Sequence, residues 1–321
     1  MNILGICSIG LDTISSVDHL PIADSFCTVL STQKMQGGSG TNVMVQSQRV
    51  GGETAIITKI ANDAVSKQIL ENLAKSHVDS RGVYQESGDY QGPHCLIYVD
   101  PQGEKTLVLD KPGELPPLTL EQMDLSLMDE TDIVYLDVNP ALTTPELAKM
   151  AKEKGKKVVL NIQDNMTTIH DRGLTDTALL QSLKYLDVFA PCQEGIKELS
   201  HADDVNDQIK FIRRYYKGLI ILTLGTKGLV AVDERDHKYE LPAYKVNSVD
   251  TTGAGDSFIG SFMVTYLVKG QSLQSALKFS TASAALTCLK FGAQSSPDFD
   301  TVQKFVADNP LNFDSVGAKV E

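Results

Sequence analysis

The sequence predicts an α/β fold, a mostly parallel sheet with helices on both faces and a small second β-layer. Three observations carry this. Short apolar runs recur along most of the 321 residues. Helix-like stretches separate them, the pattern of βα units that feed a parallel sheet. Two segments, 12–36 and 94–110, break that rhythm and read as β-structure lying over an edge of the main sheet.

In chain order, Ile3-Leu4-Gly5-Ile6-Cys7-Ser8-Ile9 reads as a buried strand ending at Gly10-Leu11-Asp12. Runs of the same form follow at 55–58, 133–136, 158–160, 188–190 and 219–224, with helices expected over 62–76, 144–154 and 204–216. Residues 12–36 show no helical period. Residues 94–110 form a hairpin turning at Asp100-Pro101-Gln102-Gly103, with proline second and glycine fourth. Asp12, Asp137 and Asp164 each follow a strand-like run, and ligands of open parallel sheets bind beyond the carboxyl ends of the strands. Taken singly, each is equally a turn or cap residue.

Bulk properties narrow the function. With 29 Lys+Arg against 41 Asp+Glu, the net charge is −12, which argues against a nucleic-acid or anionic-membrane surface. The five cysteines are dispersed with no CxxC pair, so neither a disulfide framework nor a structural zinc site is expected. No apolar run approaches the ~18 residues of a membrane span, and the start lacks signal-peptide character. The expected compartment is the reducing cytoplasm. No linker, internal repeat or low-complexity segment divides the chain.

The stretch Val249-Asp250-Thr251-Thr252-Gly253-Ala254-Gly255-Asp256-Ser257-Phe258 carries the chemistry. Apolar residues at 258, 259, 262, 263, 266 and 267 form a helical stripe that Gly270 can end. Gly253, Ala254 and Gly255 therefore stand at a helix start. There the first N–H groups are unpaired and the dipole is positive, and glycines let a phosphate approach the backbone. Asp256 has two readings. As a first-turn acid it contributes about 0.3–1 kcal/mol through the dipole. Alternatively it orients a hydroxyl and accepts its proton late in phosphoryl transfer, where a weak base suffices. On either reading the dipole is expected to lower its pKa. The sequence has neither a P-loop nor a complete GxGxxG: Val43 and Phe258 stand where the third glycine would be.

Asp250-Thr251-Thr252-Gly253-Ala254-Gly255-Asp256 resembles the ATP-side signature of the ribokinase-like (PfkB) sugar and nucleoside kinases. Gln36-Gly37-Gly38-Ser39-Gly40-Thr41-Asn42, followed by a helix and Gly51-Gly52, is similar to that family's N-terminal signature. Thr223-Leu224-Gly225-Thr226-Lys227-Gly228 and Phe291-Gly292-Ala293 also fit, in order, over nearly the whole chain.

The resemblance implies one domain over 1–321, with a Rossmann-like sheet and a β-lid formed by about 12–36 and 91–111. It implies transfer of the ATP γ-phosphate to an alcohol, with Asp256 as base and Gly253, Ala254 and Gly255 as an anion hole. Asp12, Gly38 and Asn42 would bind substrate hydroxyls, Asn42 being equally a helix N-cap by sequence. Thr223, Gly225 and Gly228 would lie along the nucleotide, although a strand–turn–strand explains their spacing too. Mg2+ is implied, with Glu194 beside it. A monovalent cation such as K+ would use Asp250 and Ser296, with backbone oxygens near Thr252, Thr287, Lys290 and Gly292. A homodimer through the lid is the family's habit.

Departures matter as much. Cys192 and Gly195 stand at the Asn and Glu of the family's Asn-x-x-Glu, leaving Glu194 one position early. Ala61-Asn62-Asp63 replaces a Gly-Asp-Asp pattern where a helix opens, a change of capping rather than chemistry. Ser39 stands where phosphosugar kinases carry a lysine, and the lid strand has no arginine. Lys34, His94 and Lys111 are the nearby cations, so a neutral sugar or polyol is favoured over a phosphosugar. Phe26, Tyr90 and Tyr98 keep a nucleoside acceptor open. A catalytically weak sugar or nucleotide sensor is the alternative from another class.

Overall fold

A computed structural model describes residues 1–110 and 113–319. Lys111, one of the three cations weighed above, falls outside them, as do the last two positions of the expected domain. Among the described residues, ten strands form the main sheet in the order 315–319, 237–241, 229–232, 219–223, 188–191, 157–162, 133–136, 3–6, 54–60, 79–85. The strands from 219–223 to 79–85 are parallel, and the remaining three are antiparallel. The central strands Ile3–Ile6, Thr54–Ile60, Ile133–Leu136 and Val188–Pro191 are buried throughout, which is why they read as unbroken apolar runs.

Alternate side chains enter two cores. Ile3 packs on one face with Val43, Met44, Phe258 and Phe262. Leu4 and Ile6 pack on the other with Leu147, Ile196 and Ile209. The helices expected at 62–76, 144–154 and 204–216 are Ala64–Lys75, Thr144–Glu153 and Val205–Arg213. Asp63 caps the first of them, its carboxylate accepting from Ser66 N at 2.8 Å. The departure at Ala61-Asn62-Asp63 is thus met by an ordinary cap. The helix at 254 is α-helical to Phe262 and widens to π over Met263–Val268 before Gly270.

The second sheet has four strands in the order Val29–Gly37, Gly10–Val17, His94–Val99, Lys105–Asp110. Its hairpin turns where the sequence places it, with Gly103 N donating to Asp100 O at 3.0 Å. Register sorts its faces. Asp12 pairs with Met35 and Cys95, whereas Thr13 pairs with Lys34 and Leu96. Side chains alternate along a strand, so Asp12 and Met35 share one face while Thr13 and Lys34 take the other.

The main sheet grows outward from Ile3–Ile6 in both directions, toward Thr54–Ile60 on one side and Ile133–Leu136 on the other. That makes the carboxyl end of Ile3–Ile6 the topological switch point, where doubly wound sheets open a crevice. The chain leaves this end directly into the lid strand that carries Asp12.

Candidate active site

Two helices begin at the switch point and face each other. Helix Ser39–Arg49 starts after Gly38, and helix Ala254–Phe262 after Gly253. Both capping glycines have positive φ, 86° at Gly38 and 80° at Gly253, a region open to glycine at little cost. A Cβ on Gly38 would run into the backbone of Ile9 and Gly10, and one on Gly253 into that of Ala293. The helices approach closely because Gly260 leaves room for Val43 O and Ser47, and Ser47 Oγ donates to Gly260 O at 3.2 Å.

Asp256 lies in the first turn of the second helix and is only 4% exposed. Three side chains donate to it. Ser39 Oγ reaches Oδ1 at 2.7 Å, Gln163 Nε2 reaches Oδ1 at 2.7 Å and Asn42 Nδ2 reaches Oδ2 at 2.9 Å. Ser39 and Asn42 are three apart on one helix, so both point to the same side. Burial pushes the Asp256 carboxyl above the ordinary range, and the three donors offset this only in part. The lowered pKa expected from the dipole is therefore corrected. Removal from water at a packed interface outweighs it, and how deeply the side chain is buried is not written in the local sequence.

Asp12 stands across the crevice. Its pKa rises to about 6, first through burial and then through the negative charge of Asp256. Gly37 makes room for it, since a Cβ there would fall on the Asp12 carboxylate. Asp137 completes an acidic floor. It accepts from Ser8 N at 2.9 Å and from the Ser8 hydroxyl, and burial lifts it to about 6. Asp164, the third aspartate at a strand end, pairs with Arg172 at 2.6 Å, and the Arg172 charge also acts on Asp137.

Beyond Gln163, away from Asp12, come the carboxyl ends of Val188–Pro191 and Leu219–Thr223. Thr223 ends the latter strand, bridging to Cys192, and Gly225 and Gly228 shape the following turn with φ of 58° and 95°. This end holds none of the residues grouped around Asp256. The crevice thus has an acidic side at Asp12 and Asp137, while Thr223–Gly228 carries no carboxylate and one exposed cation, Lys227. Asp256, Gly255 and Gln163 stand between them.

Asp250 is buried, and its pKa is held down to about 2 against the cost of burial, by Lys105 and then by donors from Thr252 and Gly292. Oδ1 takes Lys105 Nζ at 2.6 Å and Thr252 N at 2.9 Å, while Oδ2 takes Gly292 N at 3.0 Å. Of the other residues expected around a monovalent cation, Thr287 is buried, Lys290 is exposed, and Ser296 gives both its oxygens to Arg49 at 3.1 Å.

Cys192 takes over the N-cap of helix Gln193–Ser200, its sulfur accepting from Gly195 N at 3.4 Å. Gly195 has no space for the glutamate of the resembling family, because a Cβ would approach Asp164 O within 2.7 Å. Glu194 is exposed in the first turn of that helix. Among the described residues no cluster of three or more His, Cys, Asp or Glu could hold a metal ion.

Sequence reasoning missed Ser39, Gln163, Ser8 and Lys105 as site residues. Gln163 had a signal, since Asn161 and Gln163 alternate onto one side of a strand end that Asp164 had already marked. Ser39 stands at the family's lysine position, and nothing local marks it as a partner of Asp256.

An acid held out of water between two helix N-termini suits chemistry that binds an anion and removes a proton. The class this defines is an α/β phosphotransferase with a β-lid. The family model for pfkB carbohydrate kinases matches residues 3–300, and the chain belongs to that family. It is a carbohydrate kinase, a phosphotransferase with an alcohol acceptor. The ribokinase of Haemophilus influenzae is 29% identical over 304 residues, covering 92% of this chain and 94% of that protein. The structure of ribokinase from Thermotoga maritima superposes with a TM-score of 0.81 at 29% identity, covering 96% and 99% of the two chains. A sugar kinase from Pyrococcus horikoshii in complex with ATP matches with a TM-score of 0.77 at 26% identity, covering 94% and 97%.

Proposed function

We propose that the chain transfers the γ-phosphate of ATP to a hydroxyl of a small neutral sugar or sugar-like polyol. The observation that carries this is Asp256, buried and held by Ser39, Asn42 and Gln163 opposite Asp12. Asp12, the Gly38 backbone and Asn42 hold the acceptor's hydroxyls, since carboxylate and amide oxygens accept hydrogen bonds from adjacent OH groups. Asp256 takes the proton of the attacking hydroxyl, and its raised pKa makes it a better base than an ordinary carboxylate. The unpaired N–H groups of Gly253, Ala254 and Gly255 receive the transferring phosphoryl group. The nucleotide lies along Thr223, Gly225 and Gly228. Magnesium would travel with the ATP phosphates and neutralise their charge, with Glu194 the side chain assigned to it.

The lid supports a neutral acceptor. Lys34 is exposed on the face opposite Asp12. His94 is tied within the lid, Nε2 to Thr13 Oγ1 at 2.7 Å and Nδ1 near Asp110 at 3.4 Å. A phosphosugar would face Asp12, Asp137 and Asp256 with neither of these cations. Coupled ADP release with a panel of neutral sugars, phosphosugars and nucleosides tests the assignment. Turnover is expected with a neutral sugar or polyol, and a nucleoside or phosphosugar preferred by kcat/KM contradicts it.

We also propose a homodimer through the lid. Val29, Leu30, Leu107, Val108 and Leu109 are exposed on the two edge strands of the lid sheet, and exposed apolar edges invite pairing. Sedimentation at micromolar concentration is expected to give a dimer that Leu107→Lys with Leu109→Lys dissociates. A wild-type monomer would contradict it. No described helix is long and apolar enough to cross a membrane. The five cysteines are free.

A further inference from the structure

The loop that leads into Gly253 is closed by a lysine from the lid. Lys105 follows the hairpin turn at Asp100–Gly103 and shares the lid face of Asp12 by register, through Val99, Cys95 and Asp12 itself. Its ammonium lies 2.6 Å from Asp250 Oδ1 and also donates to Thr252 Oγ1. The Lys105 side chain is 22% exposed and that of Asp250 is 6%. Met35, on the same lid face, lays its thioether end directly over Gly292. The lid therefore grips the two segments, 250–252 and 292, that wrap the buried carboxylate.

A monovalent metal ion does not fit this arrangement. Such an ion needs a shell of oxygens free to coordinate it. Here Asp250 Oδ1 is taken by Lys105 and Thr252 and Oδ2 by Gly292 N. The Ser296 hydroxyl and carbonyl are taken by the Arg49 guanidinium. Both side chains expected to ligate the ion are engaged by the chain's own cations.

We infer that the Lys105 ammonium is the monovalent cation of this enzyme, a resident positive charge at Asp250 that makes phosphoryl transfer independent of added K+. The inference rests on residues 250–256 being the anion-hole loop. An ammonium carries the same single charge as K+, is close to it in size, and has three donors where the ion has coordination positions. Two of the donors meet Asp250 and Thr252. Thr252 N is bonded to the same carboxylate oxygen, so the ion pair fixes the backbone immediately before Gly253, whose conformation aims the anion-binding N–H groups. Because the charge is carried on the lid, the loop is neutralised only when the lid is seated.

Thermal unfolding in KCl and in tetramethylammonium chloride at equal ionic strength tests this without requiring turnover. Wild type is expected to unfold at the same temperature in both salts. Lys105→Met, which frees the carboxylate, is expected to gain about 3–6 °C in KCl alone, as a ligand that binds only the native state would confer. Lys105→Arg, which keeps a charge, is expected to behave as wild type. With an acceptor in hand, kcat of Lys105→Met should fall by about 10-fold or more without K+ and recover with it, a loss of about 1.4 kcal/mol of barrier lowering. A K+-specific rise for wild type overturns the inference, as does a folded Lys105→Met with no K+ response. Should that variant not fold, the wild-type comparison decides alone. Failure to phosphorylate any sugar would count against the proposed function and leave the thermal result standing.

Discussion

Asp256→Asn is expected to lower kcat by about 10²–10⁴-fold, the usual contribution of a positioned general base. The asparagine keeps the shape of the side chain and one acceptor oxygen for Ser39 and Gln163, which share Oδ1 now, and turns its N–H2 toward Asn42 Nδ2. It cannot take a proton. The loss should therefore fall on kcat, with acceptor and ATP affinities within a few-fold of wild type, because an interaction made only in the transition state leaves ground-state binding alone. In wild type the acid limb of kcat/KM should lie above the ordinary carboxylate range, since the Asp256 pKa is raised. Activity is lost as pH falls through it, because the protonated form has no basic oxygen to offer. A kcat within a few-fold of wild type would remove Asp256 from the chemistry.

Asp12→Asn is expected to act on binding and to stabilise the free protein. A hydrogen bond to a charged group contributes about 1.5–3 kcal/mol, so losing the carboxylate should cost about 10–100-fold in kcat/KM, mainly through KM of the acceptor. The stability change has the opposite sign. The folded-state pKa of Asp12 is raised from 3.8 to about 6. Between those values the native chain binds more protons than the unfolded one, so stability from this group falls as pH rises across the window. Above pH 6 the native state carries the full cost of an ionised Asp12, and the amide removes it. The unfolding temperature of Asp12→Asn should exceed that of wild type by about 2–4 °C at pH 7, with no advantage below the unfolded pKa of 3.8. Asp250 runs the other way. Its pKa is depressed to about 2, so the stability it confers is present above 3.8 and lost as pH falls toward 2. An Asp12→Asn variant with unchanged KM and no gain in stability at neutral pH would place Asp12 outside the acceptor site.

What the sequence disclosed, and what it hid, follows from the range of the interactions. The buried strands were legible because a parallel strand covered on both faces must be apolar at every position. Gly253 and Gly255 were legible because glycines at a helix start let a phosphate approach the backbone. Gly38 is marked by the family resemblance alone, and Asp256 by its place in that first turn. Its partners were a different matter. Ser39 and Gln163 are 217 and 93 positions away, and no local pattern announces a meeting at that distance. The direction of its pKa is hidden from the sequence for the same reason. The dipole belongs to the helix and can be inferred from it, whereas burial belongs to the packed molecule. Lys105 reads as a plain surface residue of a hairpin until register puts it on the face that meets Asp250, 145 positions on. Cys192 departs from the family's asparagine, yet its sulfur serves as the cap, and the space beside Gly195 is filled by the main chain of Asp164.

The central claim is that a hydroxyl held between Asp12 and Asp256 receives the γ-phosphate. Following the label of γ-labelled ATP with purified protein and the panel of neutral sugars tests it most directly. The account predicts label in a sugar monophosphate, one ADP formed per product, and no labelled product from Asp256→Asn over the same time. Label released only as inorganic phosphate, or no transfer to any sugar while sugar and nucleotide bind tightly, would contradict it.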